Sequence, residues 1–155
     1  MPNFKRPSDD FNQPSPNDVA TFFATVMNND LPATTLILEQ YPDAAQWRDR
    51  AGNTPLMMAV IFGTTHQPII DLLIQNGADV NAQNAHGGNA LARAAHFGHK
   101  KLVEQLLTLG ADVYMKDEAG QDAVEWANKN GQTEIAALLR ARQKSPRHNP
   151  PKHAP

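Results

Sequence analysis

The 155-residue chain contains no cysteine. Disulfides, thiol nucleophiles and thiolate metal sites are therefore excluded. Aromatic residues are scarce, at 6% of the chain. No unbroken run of about 18 apolar residues occurs, the length a membrane-crossing helix needs. An export signal is missing too: after Lys5 and Arg6 comes PSDDFNQPSPND, where a signal peptide would place an apolar core of about 7–15 residues. The chain is expected in the cytoplasm, with non-classical export or secretion as an effector left open. There is no GxxxxGK[ST], GxSxG or HExxH pattern. His96 and His99 are spaced for a metal on one helix, but Gly98 between them should break that helix. Asp9-Asp10 and Asp117-Glu118 are adjacent carboxylates whose side chains point different ways. No catalytic residue, metal site or cofactor is expected, and the chain is read as a non-enzyme.

What is present is a globular composition, with 41% hydrophobic and 19% charged residues, of a size suited to one domain. The formal net charge of −2 argues against nucleic-acid binding by the whole domain. Charge is unevenly placed: residues 140–155 carry five basic side chains and no acid, and the remainder is net negative. Prolines cluster at both ends, at positions 2, 7, 14 and 16 and at 146, 150, 151 and 155. Because proline blocks helix and removes a backbone donor, residues 1–15 and 143–155 are expected to be disordered tails around a folded domain at 16–142. Trimming 1–15 and 145–155 is expected to leave the melting temperature unchanged.

Between the tails the chain repeats. Gly77-Ala78-Asp79-Val80 recurs 33 residues later as Gly110-Ala111-Asp112-Val113, and Asn84-Ala85-His86-Gly87 recurs at the same offset as Asp117-Glu118-Ala119-Gly120. Asp49-Arg50-Ala51-Gly52 precedes Asn84 by 35 residues. A fixed period of this length signals a stacked-repeat architecture. The segments AGNTPLMMAVIFG, ending at Gly63, and NAHGGNALARAAHFGHKKLVEQLLTLGADV, ending at Val113, resemble ankyrin repeats. The resemblance covers about residues 17–142, in repeats at about 17–48, 49–83, 84–116 and 117–142, the first degenerate. It implies an all-α solenoid of helix-turn-helix units joined by hairpin-like loops. The family's Thr-Pro-Leu-His block survives only as Thr54-Pro55-Leu56; Met57, Ala92 and Glu125 stand where the His would be, which removes one brace between turns. The idiom Thr-Pro-Leu-Met-Met-Ala resembles bacterial members more than animal ones.

The residues support the same reading on physical grounds. Thr54, Asn89 and Asp122 share a repeat position, and each is a good N-cap. Leu56, Leu91 and Val124 follow and should face the core. Gly63, Gly98 and Gly131 should end the first helices. The second helices carry Ile69, Ile70, Leu72, Leu73 and Ile74 in one copy and Leu102, Val103, Leu106 and Leu107 in the next, at helical spacing. One such unit cannot bury its apolar face alone, but four stacked units can. The second repeat holds two extra residues within TTHQP, read as a tolerated surface insertion with Pro68 opening the second helix.

The resemblance implies partner contacts from the turn tips and the exposed ends of the first helices, on the concave side. By position these are Arg50, Asn53, Ile61 and Phe62 in the second repeat, His86, Arg93, His96 and Phe97 in the third, and Glu118, Gln121 and Lys129 in the fourth. Phe62 and Phe97, one repeat apart, are expected as neighbours in an apolar strip with Ile61 and Trp126, rimmed by Arg50, Arg93 and Lys129. Alternatively the aromatics cover the ends of their own helices, and Trp126 fills the core of the last repeat. His99 falls where the family's His bonds to loop backbone. The function expected is protein binding by a monomer that occludes or tethers its partner. The rival readings are a nucleic-acid adaptor using the basic C-terminal tail, which lacks an aromatic for base stacking, and an enzyme with an unrecognised site.

Overall fold

The protein was analysed as a computed structural model, which describes residues 13–145. Among these, eight α-helices follow one another in pairs: α1 (Pro16–Met27) with α2 (Leu31–Gln40), α3 (Pro55–Ala59) with α4 (Gln67–Gln75), α5 (Ala90–His96) with α6 (Lys100–Thr108), and α7 (Ala123–Lys129) with α8 (Thr133–Lys144). Each pair packs on the next, α1 on α3, α2 on α4 and α5 on α7. This is the helical solenoid expected. Leu56, Leu91 and Val124 are buried, as are Ile69, Ile70 and Leu73 of α4 and Leu102, Val103, Leu106 and Leu107 of α6. Together with Phe22, Val26 and Leu139 they form one core running through all four repeats.

The short helices start where the sequence places them. The side chains of Thr54, Asn89 and Asp122 accept the backbone N–H of Met57, Ala92 and Glu125 at 3.3, 2.9 and 3.1 Å. In the last repeat Glu125 reaches back to the Asp122 N–H at 2.8 Å, closing a capping box. The residue that replaces the family's His thus gains a local role.

The turns before these helices share one construction. Asp49 Oδ1 accepts the N–H groups of Ala51 and Asn53, both at 2.9 Å. Asn84 Oδ1 does the same for His86 and Gly88 at 3.0 and 2.8 Å, and Asp117 Oδ1 for Ala119 and Gln121 at 3.0 and 2.9 Å. Adjacent turns are joined by backbone: Ala85 N–H donates to Ala51 O and Glu118 N–H to His86 O, each at 3.0 Å. Side chains add further links. Arg48 donates to the carbonyls of Gly52 and Gln83 at 2.9 and 2.8 Å. Gln83 repeats the pattern, to Gly87 and Lys116, at 3.0 Å each.

Four expectations need correction. First, α3 ends at Ala59, not at Gly63. A 3-10 segment, Val60–His66, carries the chain through Gly63, whose φ of 67° and ψ of −142° interrupt the helix. The stretch Pro55–Gln75 is long and apolar enough to cross a membrane, but this break makes it two elements, and its side chains feed the core. Second, the inserted Thr64 and Thr65 are exposed, as a surface insertion should be, but the segment is tied to the first repeat, with Asn29 Nδ2 donating to Thr65 O at 3.1 Å. His66 is buried, and its Nε2 lies 3.0 Å from Met27 O at the end of α1. One repeat later His99 Nε2 meets Ile61 O at 2.8 Å. Both histidines hold the carbonyl two residues before a left-handed position, Asn29 (φ 58°) and Gly63 respectively.

Third, Ser15 was placed in a disordered tail, but it caps α1. Its side chain accepts the Asp18 N–H, and Asp18 accepts the Ser15 N–H, a second capping box. Fourth, α8 runs to Lys144, past the boundary expected at 142, because no proline intervenes until Pro146. Gln143 then docks, donating to Val113 O at 3.1 Å and to Asp122 Oδ2 at 3.0 Å. Trimming through Ser15 therefore removes a helix cap. The remaining tail expectations, on residues 1–12 and 146–155, lie outside the described residues.

Two substitutions test this packing. Leu106 is fully buried, and Leu106→Ala should cost about 2–5 kcal/mol in chemical denaturation, the usual range for truncating a core leucine. A Cβ added at Gly63 would sit 2.6 Å from the His99 ring, in a left-handed conformation as well. Gly63→Ala should cost about 1–3 kcal/mol from backbone strain. The His99 imidazole resonances should also shift, since the ring must leave Ile61 O.

Candidate functional site

Where the turns meet the short helices, an open groove of about 330 Å³ crosses the second to fourth repeats, lined by Ile61, Asn84, His86, Gly88, Asn89, Ala92, Arg93, His96, Phe97, Asp117 and Trp126. Its floor is apolar for a local reason. Helices α5 and α7 turn small and branched apolar residues into the core, and their opposite faces carry Arg93, His96 and Trp126. Phe97, just past the end of α5, is 46% exposed.

Each polar wall residue has an assigned partner. Trp126 is half-buried and donates its indole N–H to Asp117 Oδ2 at 2.9 Å. Lys129 Nζ stands 5.8 Å from the centre of that indole ring, within cation–π range. The His96 ring tilts against Trp126 at 5.4 Å and meets Phe97 edge-on at 4.6 Å. Asn130 Nδ2 donates to Trp126 O at 2.8 Å, which fixes the amide orientation, and also lies 3.0 Å from His96 Nδ1. His96 Nδ1 is therefore the acceptor, and the neutral ring carries its proton on Nε2. On the rim, His86 Nδ1 and Glu118 Oε2 pair at 3.2 Å, both well exposed.

Arg93 occupies the opposite wall. Its Nη2 donates to Asn53 Oδ1 at 2.6 Å and its Nη1 approaches Met58 Sδ at 3.7 Å. Burial pulls its pKa below the ordinary arginine value, and the nearby Asp49 charge works the other way. The guanidinium stays charged regardless.

The residues predicted for partner binding divide. Ile61, His86, Arg93, His96 and Phe97 line the groove. Glu118 and Lys129 border it through His86 and Trp126, and Gln121 closes the turn that holds Asp117. Asn53 does not face a partner: it is buried, donates to Asp49 Oδ2 at 2.9 Å and accepts from Asn84 Nδ2 at 2.8 Å. Phe62 stacks on His66 at 4.3 Å instead of joining Phe97. One repeat later Phe97 lies over His99 in a similar near-parallel arrangement, but at 6.2 Å. Arg50 lies with Asp49 and Ala51 in a separate cleft against α1. The expected strip of Phe62 with Phe97, rimmed by Arg50 and Arg93, is therefore not assembled. Asp117, noted in the sequence only as one of two adjacent carboxylates, holds both its turn and the Trp126 indole. The signal that would have found its role was its register with Asp49 and Asn84, which makes it a turn residue with one oxygen to spare.

Desolvation acts to raise the Asp117 pKa, but it is outweighed by the N–H of Gln121, the Trp126 indole, the N–H of Ala119 and the Lys129 charge, so the carboxyl sits below the ordinary 3.8. A depressed folded pKa means that the carboxylate stabilises the turn above the unfolded value and stops doing so as pH falls through the folded one. In an NMR titration Asp117 should ionise below 3.8, with the Trp126 indole N–H shift following the same curve. A midpoint at or above 3.8 contradicts the hydrogen bonding described.

The family model for ankyrin repeats (three copies) matches residues 22–117 and 65–149. The chain is 33% identical over 121 residues to mouse "Ankyrin repeat and SAM domain-containing protein 6", which covers 76% of this chain and 13% of that protein. It is 34% identical over 116 residues to "E3 ubiquitin-protein ligase XBAT33" of Arabidopsis thaliana, covering 74% and 22%. It is 35% identical over 108 residues to "Neurogenic locus notch homolog protein 1" of Xenopus laevis, covering 69% and 4%. The chain thus spans less than a quarter of each of these relatives, and what it shares with them is the repeat. The four helix pairs, the shared turn construction and these matches agree: the chain belongs to the ankyrin-repeat family, a protein-interaction fold.

Proposed function

We propose that the chain, as a cytoplasmic monomer, binds a protein partner by receiving a segment of it in the groove of the second to fourth repeats, and so occludes that surface or tethers its owner. The chain works by recognition and not by catalysis. One observation carries this reading: Phe97 is exposed and lines the groove beside Arg93 and the half-buried Trp126, whose inner side packs against the core. Exposed apolar surface rimmed by charge is characteristic of interaction sites, and aromatic and arginine side chains supply most binding hot spots.

The test is a double substitution. Phe97→Ala with Trp126→Ala should leave the helical circular dichroism spectrum nearly intact and weaken partner binding by more than about 2 kcal/mol. The two effects need not add, since both rings touch His96. Phe62→Ala, outside the groove, serves as the control and should leave affinity unchanged. Unchanged affinity in a folded double variant refutes the assignment.

A further inference from the structure

We propose that the groove selects a linear peptide segment in which a carboxylate side chain lies within two residues of a bulky apolar one, the carboxylate meeting Arg93 and the apolar group resting on Phe97 and Trp126. This deepens the binding reading above and rests on it.

A guanidinium has five N–H groups. Arg93 directs one at Asn53 and one toward the Met58 sulfur. Among the described residues the other three have no hydrogen-bond partner, and no carboxylate lies within ion-pair distance. The side chain is half-buried, so part of its hydration was already given up on folding. It is also held in place by Asn53, which is itself tied to Asp49 and Asn84. A fixed, partly dehydrated fork loses little further freedom when a carboxylate docks, and such charge-assisted pairs are among the stronger hydrogen bonds.

The groove's own acids cannot take that place. Asp117 spends Oδ1 on two backbone N–H groups and Oδ2 on the indole of Trp126. Glu118 is turned to His86 on the rim. Of the other polar groups, the His96 ring in the lining has its proton on Nε2, and Lys129 stands at the border beside the Trp126 indole. A visiting anion therefore meets donors.

The remaining lining sets the second requirement. Ile61, Ala92, Phe97 and Trp126 offer no polar atom that would satisfy a dense charge such as a phosphate backbone. They do offer apolar area, whose covering by an apolar side chain favours binding. The groove, about 330 Å³ and open to solvent, has room for a few side chains of an extended segment.

The experiment is panning of a random dodecapeptide phage library on the full chain, followed by synthesis of the enriched peptides. The expected result is enrichment of Asp or Glu within two residues of Leu, Ile, Phe or Trp. Converting that acid to its amide should weaken binding at least about tenfold. Arg93→Gln should cause the same loss, and the amide peptide should bind wild-type and Arg93→Gln protein equally. Should Arg93→Gln lower the melting temperature through its Asn53 contact, the peptide-side change decides, because it leaves the protein untouched. Peptides that shift the Trp126 indole N–H yet contain no acid, or keep their affinity as amides, overturn this inference and leave the groove as the binding site. Peptides that bind without moving the Trp126 or Phe97 signals overturn the groove itself, and failure to enrich any peptide overturns both.

Discussion

The stack depends on polar side chains that reach from one repeat to the backbone carbonyls of the next or the one before. Arg48, Gln83, His66 and His99 each hold a carbonyl in an adjoining repeat. Apolar burial supplies most of the free energy, but burial alone is indifferent to small slides of one helix pair over another. The side-chain bonds are not. They remove unsatisfied carbonyls at turns and helix ends, and they permit one register only. The turns of the second to fourth repeats are fixed by the same device, which is why their edges align well enough to form a continuous groove.

That rigidity bears on recognition. The groove's wall residues are held by bonds of different sequence reach: Trp126 by Asp117 nine positions away, Arg93 by Asn53 forty positions back. Ordering costs at these side chains are met during folding and are not charged to binding. A partner segment meets a surface already arranged, in keeping with a repeat scaffold whose variable side chains are carried on a constant frame.

Local features were legible from the sequence. The N-caps at Thr54, Asn89 and Asp122, the buried Leu56 and Leu91, and the role of His99 all follow from residue type at a repeat position. The caps need only a few neighbours in the chain, whereas His99 reaches Ile61 O, 38 positions back, and was legible only through its family position. The site was less legible because it depends on what lies across a repeat junction. Phe62 and Phe97 hold equal positions before equal glycines, yet Phe62 stacks on His66 at 4.3 Å while Phe97 lies 6.2 Å from His99 and lines the groove. Asn53 looked like a turn-tip contact until Arg93 and Asn84 were found on the same oxygen. The C-terminal limit differs for another reason: RARQK continues a helix well, and the proline-rich stretch begins only at Pro146.

His66 shows what kind of regularity the chain preserves. It arrives two residues later than His99 does after its own glycine, through a 3-10 segment rather than directly, and still closes on the equivalent carbonyl. Spacing along the chain was free to vary at this joint, while the atom reached in space was not. The repeat is therefore a register kept by touch and not by count. New length can enter between Gly63 and the second helix at little cost to the array, provided that an imidazole still arrives at Met27.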